Sequence, residues 1–493
     1  MFIRQFKVVG AKDLPQAEVE AAVYPYLGPG RTETDIEAAR AALEKAYHEK
    51  GFQATSVEIP LQTGRRGLIV LQVNEGRVGQ IRVRGARYFL PSVVRDRAHS
   101  LAEGKALNFN RITEDVVALN QWADRQVVPS IVPGSEPGKM DIALEVKDTL
   151  PLHGSLELNN RFSPETSELR MNGGLSYTNL WQAGHTAGGN FQLSPEDWSE
   201  VKVFSGYYLA RFEQAENFTL MLQGTKQNSN VSTLGGAAVA GRGEIAGFRG
   251  VFSLPGADAF YHSLNAGVDY KHFNQAVVSG QQSIETPITY YPLSANYSAT
   301  WAPKSGTTEL NLGVIAGLRT RSREAREIEN NRAYAEQNFL YLRGDLAHTR
   351  DIWRGFEAHG KVQGQLASGP LVNSEQFSGG GLNTARGYLE AEALGDNAIF
   401  GTVEFRSPSL LWWLPGPVQN WRLHVFADAG ALTVRNALAE QKSSYRLVSY
   451  GIGSRMELFN HLNGSVDLAM PMTTQATTQK NDPRLTFRVW ADF

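Results

Sequence analysis

The residues with the most chemical potential lie in the C-terminal third of the chain. A long connection, residues 369–395, carries Ser-Gly-Gly-Gly-Leu-Asn-Thr-Ala-Arg-Gly-Tyr, with Arg386 set among small residues. The run Gly379, Gly380 and Gly381 could cradle a phosphate, but no strand-loop-helix context surrounds it and no Lys-Ser/Thr follows. Further on stands His424-Val-Phe-Ala-Asp-Ala-Gly430, in which alternate residues share a face if the segment is extended. If Leu423, Val425 and Ala427 face an apolar medium, then His424, Phe426, Asp428 and Gly430 face away from it. Glu404, between Val403 and Phe405, sits in the same way. A guanidinium facing such carboxylates forms short, charge-assisted and often bidentate bonds. Asp428 is the first expected partner of Arg386 and Glu404 the alternative; a solvated loop charge is the competing expectation. That chemistry is a fastening, not a reaction. Ser378 has no histidine beside it in any motif, and the ten histidines are scattered. The chain contains no cysteine, which excludes disulfides, thiolate catalysis and Cys-ligated metals. No cofactor and no metal is expected, and no enzymatic activity.

The elements that must position these groups are strands. From Pro151 onward the texture is period two: Leu152, Gly154, Leu156 and Leu158 oppose His153, Ser155, Glu157 and Asn159. The chain ends in the same way, with Leu485, Phe487, Val489, Ala491 and Phe493 on one face. Strands are expected near 152–162, 168–180, 185–195, 200–212, 216–227, 243–254, 261–273 and 288–301. Eight more are expected near 307–321, 336–350, 355–368, 396–408, 420–432, 446–459, 460–471 and 484–493. Sixteen is an even number, and the lengths suit tilted strands crossing a bilayer. Connections after odd strands are long (228–242, 274–287, 322–335, 369–395, 433–445, 472–483) and those after even strands short, as in membrane barrels with large external loops. Trp412, Trp413 and Trp421 would belong to an interfacial belt. No run of about 18 apolar residues provides a membrane helix, and mean hydropathy is -0.30, as expected when only every second residue meets lipid. The fold class is therefore a membrane all-β protein: residues 151–493 as a sixteen-stranded transmembrane barrel, preceded by small α+β domains at 1–75 and 76–150.

Those two domains announce themselves by repetition. Phe6-Lys-Val-Val-Gly10 recurs as Ile81-Arg-Val-Arg-Gly85. Ile36, Ala39, Leu43 and Tyr47 mark a helix, with Thr34 as N-cap and Gly51 ending it. Extended segments flank it at 3–9, 53–59 and 68–73; helices follow near 91–98 and 112–123, then a strand at 140–146. Two copies of a β-α-α-β-β module read as binding domains. A net charge of -2 and the lack of basic runs argue against a nucleic-acid partner.

Several of these segments resemble one family. Thr384-Ala-Arg386-Gly387-Tyr388 is similar to the loop signature of the barrel-assembly and two-partner-secretion superfamily, and Phe426-Ala-Asp428-Ala-Gly430 to its strand signature. Leu152-His-Gly-Ser-Leu-Glu-Leu-Asn-Asn160 and Asn179-Leu-Trp-Gln-Ala-Gly-His185 resemble the first hairpin of hemolysin-activator-type transporters. The resemblance implies two polypeptide-transport-associated (POTRA) domains in the periplasm and a barrel in the bacterial outer membrane, among its lipids. It further implies a secreted polypeptide partner with an N-terminal secretion domain, exported without ATP, and Phe493 as the C-terminal signal read by the barrel-assembly machinery. An assembly factor for other barrels is the alternative. The resembling proteins usually carry a plug helix and linker before the first module, whereas this chain starts almost directly on a module strand; a removed signal is expected, and the plug is either removed as well or absent. Ala385 stands where the family signature has Val.

Overall fold

The computed structural model describes residues 1–62, 65–136, 138–212, 215–228, 231–232, 239–240, 242–279, 282–318, 322–411 and 418–493. It divides into two compact units, Met1–Pro151 and Leu152–Phe493.

The first unit contains two three-stranded sheets of the same topology. In one, β1 (Gln5–Val9) pairs in parallel with β3 (Leu68–Asn74), which pairs antiparallel with β2 (Ser56–Glu58). Helices α1 (Gln16–Val23) and α2 (Glu33–Glu49) lie between β1 and β2 in sequence. α2 buries Ile36, Ala39, Leu43 and Tyr47, the stripe its spacing predicts. Its N-cap is Thr32, not Thr34. The Thr32 hydroxyl accepts from the Asp35 amide while the Asp35 carboxylate takes the Thr32 amide, a capping box that Thr34, already inside the first turn, cannot form. The second sheet repeats the order, with β4 (Arg77–Arg84) parallel to β6 (Lys139–Asp148) and β5 (Arg125–Pro133) antiparallel on the other side. Its helices are α3 (Pro91–Arg97) and α4 (Phe109–Leu119). Each sheet has its own apolar core. The repeated glycines share one cause: Gly10 and Gly85 have φ of +93° and +84°, and a side chain there would run into the carbonyl oxygens of Val73 and Val146.

The second unit is a closed antiparallel barrel of sixteen strands. They are β7 (Leu152–Asn159), β8 (Arg170–Leu180), β9 (His185–Leu193), β10 (Lys202–Phe212), β11 (Ala215–Asn228), β12 (Arg242–Ala257) and β13 (Phe260–Ser279). Next comes β14, in two segments (Gln282–Tyr290 and Pro292–Trp301) that both pair with β13. The rest are β15 (Gly306–Gly317), β16 (Leu340–Trp353), β17 (Phe356–Ala367), β18 (Asn397–Arg406), β19 (Val418–Thr433), β20 (Ser444–Leu458), β21 (Leu462–Pro471) and β22 (Arg484–Asp492). All sixteen expected strands are present. Exposed Leu423 and Val425 alternate with buried His424, Phe426 and Asp428 along β19, so the charged face points into the lumen.

Two connections differ from expectation. Residues 274–279 and 282–287 are not a loop: they continue β13 and β14 in regular antiparallel register. The connection after β15 contains helix α5 (Ser322–Asn331). Trp412 and Trp413 lie outside the described residues; Trp421 lies on β19 and donates its indole N–H to the Ser454 hydroxyl at 3.0 Å. The barrel closes through β22 on β7 over Asp492↔Ser155 to Arg488↔Asn159. Phe493 extends this seam, exchanging backbone bonds with Gly154 (2.9 and 3.0 Å) while its ring covers the glycine.

Candidate functional site: the loop fastened inside the barrel

Arg386 is the hub of a buried charge cluster. Its backbone N–H and Nε donate to Asp428 Oδ2 at 3.0 and 2.9 Å, and its Nη2 donates to Asp428 Oδ1 at 3.0 Å. Its remaining Nη1 reaches Glu404 Oε2 at 2.7 Å. Asp428 and Glu404 are thus joint partners rather than alternatives. The guanidinium lies 3.4 Å over the Phe426 ring, which adds a cation–π contact to the carboxylate bonds. Phe426 can lie so because Gly451 on β20 offers no side chain beneath it, and Gly430 likewise admits the Phe400 ring. The strand signature therefore supplies one carboxylate, one ring and one vacancy.

The neighbouring loop residues have separate tasks. Gly387, at φ +97°, turns the chain where a side chain would press on Ala469 and Ser449. Tyr388, 1% exposed, donates its hydroxyl to the Val448 carbonyl and meets Thr473. Glu404 is shared further, with Arg406 and Arg455. Beyond Arg455, His424 bonds Asp467 across β20, passing over Gly453.

Sequence reasoning missed a second set of fastenings along the same loop, observed as residues 368–396. Glu375 is buried and accepts from Lys271 on β13, Tyr290 on β14 and Tyr341 on β16. Asp396, with no exposure, gathers three external connections. Arg332 binds it through both terminal nitrogens (2.6 and 2.7 Å), and the amides of Leu371 and Arg435 donate to it. Glu390 pairs with Arg161 at 2.7 Å, and Glu392 accepts from the amides and hydroxyls of Thr477 and Thr478. Each of these acids stands in aperiodic loop sequence, where alternation says nothing about direction. The one usable signal was their number, since an unpaired carboxylate in a closed barrel mouth would be costly. Among the described residues no cluster of His, Asp and Glu has the arrangement of a metal site.

A sixteen-stranded outer-membrane barrel holding its longest loop inside by paired charges defines a class, and comparison places the chain within it. Residues 138–456 match the family described as haemolysin secretion/activation protein ShlB/FhaC/HecB, and residues 1–76 match the ShlB-type POTRA domain. The chain belongs to the ShlB/FhaC/HecB family of the outer membrane. It is 28% identical over 172 residues to the outer membrane transporter CdiB of Escherichia coli, covering 35% of this chain and 29% of that protein. It is 26% identical over 149 residues to CdiB of Dickeya dadantii strain 3937, covering 29% and 26%. The matched stretch is thus under a third of these relatives' length. Among solved structures, CdiB from Escherichia coli superposes with a TM-score of 0.65 at 19% identity, over 100% of this chain and 90% of that one. BamA from Haemophilus ducreyi lacking POTRA domains 1–3 gives 0.60 at 14% identity, over 100% of both chains. At these identities the likeness is one of fold.

Proposed function

We propose that this protein exports one large, unfolded secreted polypeptide across the outer membrane. The observation that carries the reading is the match of residues 138–456 to a family of secretion and activation proteins. On this reading residues 1–75 and 76–150 are two POTRA domains that capture an N-terminal secretion domain, by adding an extended segment to a sheet edge. The chain then passes through the polar lumen, and folding outside biases the movement outward with no nucleotide, which the periplasm lacks. Arg386, Asp428 and Glu404 act as a lock that keeps the loop seated, with Gly387, Tyr388, Phe426 and Gly430 shaping the seat. Phe493 serves as the C-terminal signal for the barrel-assembly machinery. Deleting this protein from its host tests the reading: a single large protein should vanish from the medium while other outer-membrane barrels stay at normal abundance. General loss of barrels would instead support an assembly factor.

A further inference from the structure

The strand register assigns every lumenal side chain to a strand, and the lumen has two unlike walls. On β16–β22 the inward positions carry Asp345, Glu357, Arg406, Arg455, Asp467 and Arg488 among others. On β8–β11 the inward positions have Arg170 at the outer end of β8 and Arg211 at the inner end of β10, and between these the stretches Asn172–Ser176, Thr186–Gln192, Val203–Leu209 and Thr219–Gln227 contain no Asp, Glu, Lys or Arg. Amides, hydroxyls and small residues such as Asn190, Ser205, Gln223 and Thr225 predominate, and these four are half-buried, hence open to the lumen.

The fastenings of residues 375–396 to strands, as described above, fall on β13, β14, β16, β18, β19 and β20; those to external connections include Arg161, between β7 and β8, which holds Glu390 at the outer end of the uncharged wall. A cavity of about 390 Å³ lies at the edge of the uncharged wall, where Asn172, Asn190 and Gln192 meet Glu157 and Arg488. A sixteen-stranded barrel is wide enough to leave an aqueous channel beside such a loop.

We propose that a polypeptide in transit runs along β8–β11 while residues 375–396 stay docked on the other side; this rests on the export reading above. A moving chain presents every kind of side chain to the wall. One ion pair in a partly dehydrated lumen holds a charge several- to a thousandfold longer, depending on local dielectric. Amides and hydroxyls offer hydrogen bonds that exchange readily with water. The charged wall is already engaged, its carboxylates and guanidinium groups neutralising one another and the loop.

The test uses the full chain in planar bilayers, with single-channel recording and a long unfolded Gly/Ser peptide bearing a block of lysines as the probe. Four isosteric substitutions compare the path with lumenal positions outside it: Asn172→Asp and Asn190→Asp on β8 and β9, against Asn296→Asp and Asn311→Asp on β14 and β15. An added carboxylate on the path should lengthen the peptide's blockades by about fivefold, one charge pair's effect in a hydrated lumen. Longer blockades with the first pair and unchanged ones with the second support the path. Equal lengthening by both pairs, or lengthening by the second alone, overturns it. A peptide that never blocks the unaltered channel would remove the export reading, and this path with it. Open-channel conductance reports, for each variant, that the barrel is intact.

Discussion

Arg386 sits where three demands meet: a charge taken out of water, two carboxylates that would otherwise be buried alone, and a loop that needs an anchor. Its planar fork answers all three at once, with two nitrogens and a backbone amide on Asp428 and the last nitrogen on Glu404. Lysine keeps the charge but cannot span both acids. Arg386→Lys should therefore free the loop tip nearly as much as Arg386→Ala, each costing on the order of 3–5 kcal/mol of local stability. Hydrogen exchange of the amides at 380–388 measures this; protection retained in the lysine variant would show that charge alone suffices. Gly453 offers a second check. A methyl there collides with both His424 and Asp467, so Gly453→Ala should part that pair and lower the barrel's heat-denaturation midpoint on gels, whereas an unchanged midpoint would mean β20 shifts freely. Asp428 and Glu404 were legible in sequence because an ionised residue between lipid-facing neighbours has only one direction to point, and Arg386 stood out as a cation set among small residues in the longest loop. Glu375, Asp396 and Glu390 were not, since their partners come from distant strands and loops that no local pattern connects.

At the scale of elements, the external connections are held to one another as well as to the wall. Asp396 ties the residues 318–339 connection, through Arg332, to the amide of Arg435 in the next one. Asp396→Asn keeps the shape and loses the charge, so Arg332 loses the carboxylate that binds both its terminal nitrogens. Trypsin added outside intact cells should then cut at Arg326 or Arg332 several times faster; unchanged cleavage would place the anchoring elsewhere. In the N-terminal unit, Glu75 fastens the turn after β1. Burial raises its carboxyl, but the amides of Lys12 and Asp13, with the Tyr47 hydroxyl, outweigh that and hold it below the usual 4.5. A depressed acid stabilises the fold fully above its ordinary value and ceases to as pH falls through the folded one. Asp13 is raised above 3.8 by burial and by Glu75, so in its own window the fold gains as pH falls. Exchange protection of the Lys12 and Asp13 amides should thus persist down to about pH 4.5 and fail below it, and Glu75→Gln should lose much of it at neutral pH. Protection independent of pH would contradict this account. The hairpin β13–β14 shows where element reading stops working. Alternation lapses in the sequence there, so residues 274–287 read as a loop, although 274–279 and 282–287 pair in regular register.

For the whole molecule, the sixteen strands and their order followed from one constraint, that a strand crossing lipid shows it every second side chain. The lumen's contents did not follow, because a loop folded inward obeys local pairings rather than that period. The structure gives a barrel whose longest loop is fastened mainly on β13–β20, with Arg161 holding Glu390 beyond them, and the export account requires it to stay there while a chain passes. Secretion by Arg386→Ala tests this most directly, scored as exoprotein in the medium per unit of heat-modifiable barrel in the outer membrane. The account predicts normal barrel insertion with secretion reduced at least tenfold, as loss of a stabilisation larger than ~1.4 kcal/mol implies. Secretion at the unaltered level, from a barrel whose loop is demonstrably loose by hydrogen exchange, would contradict it.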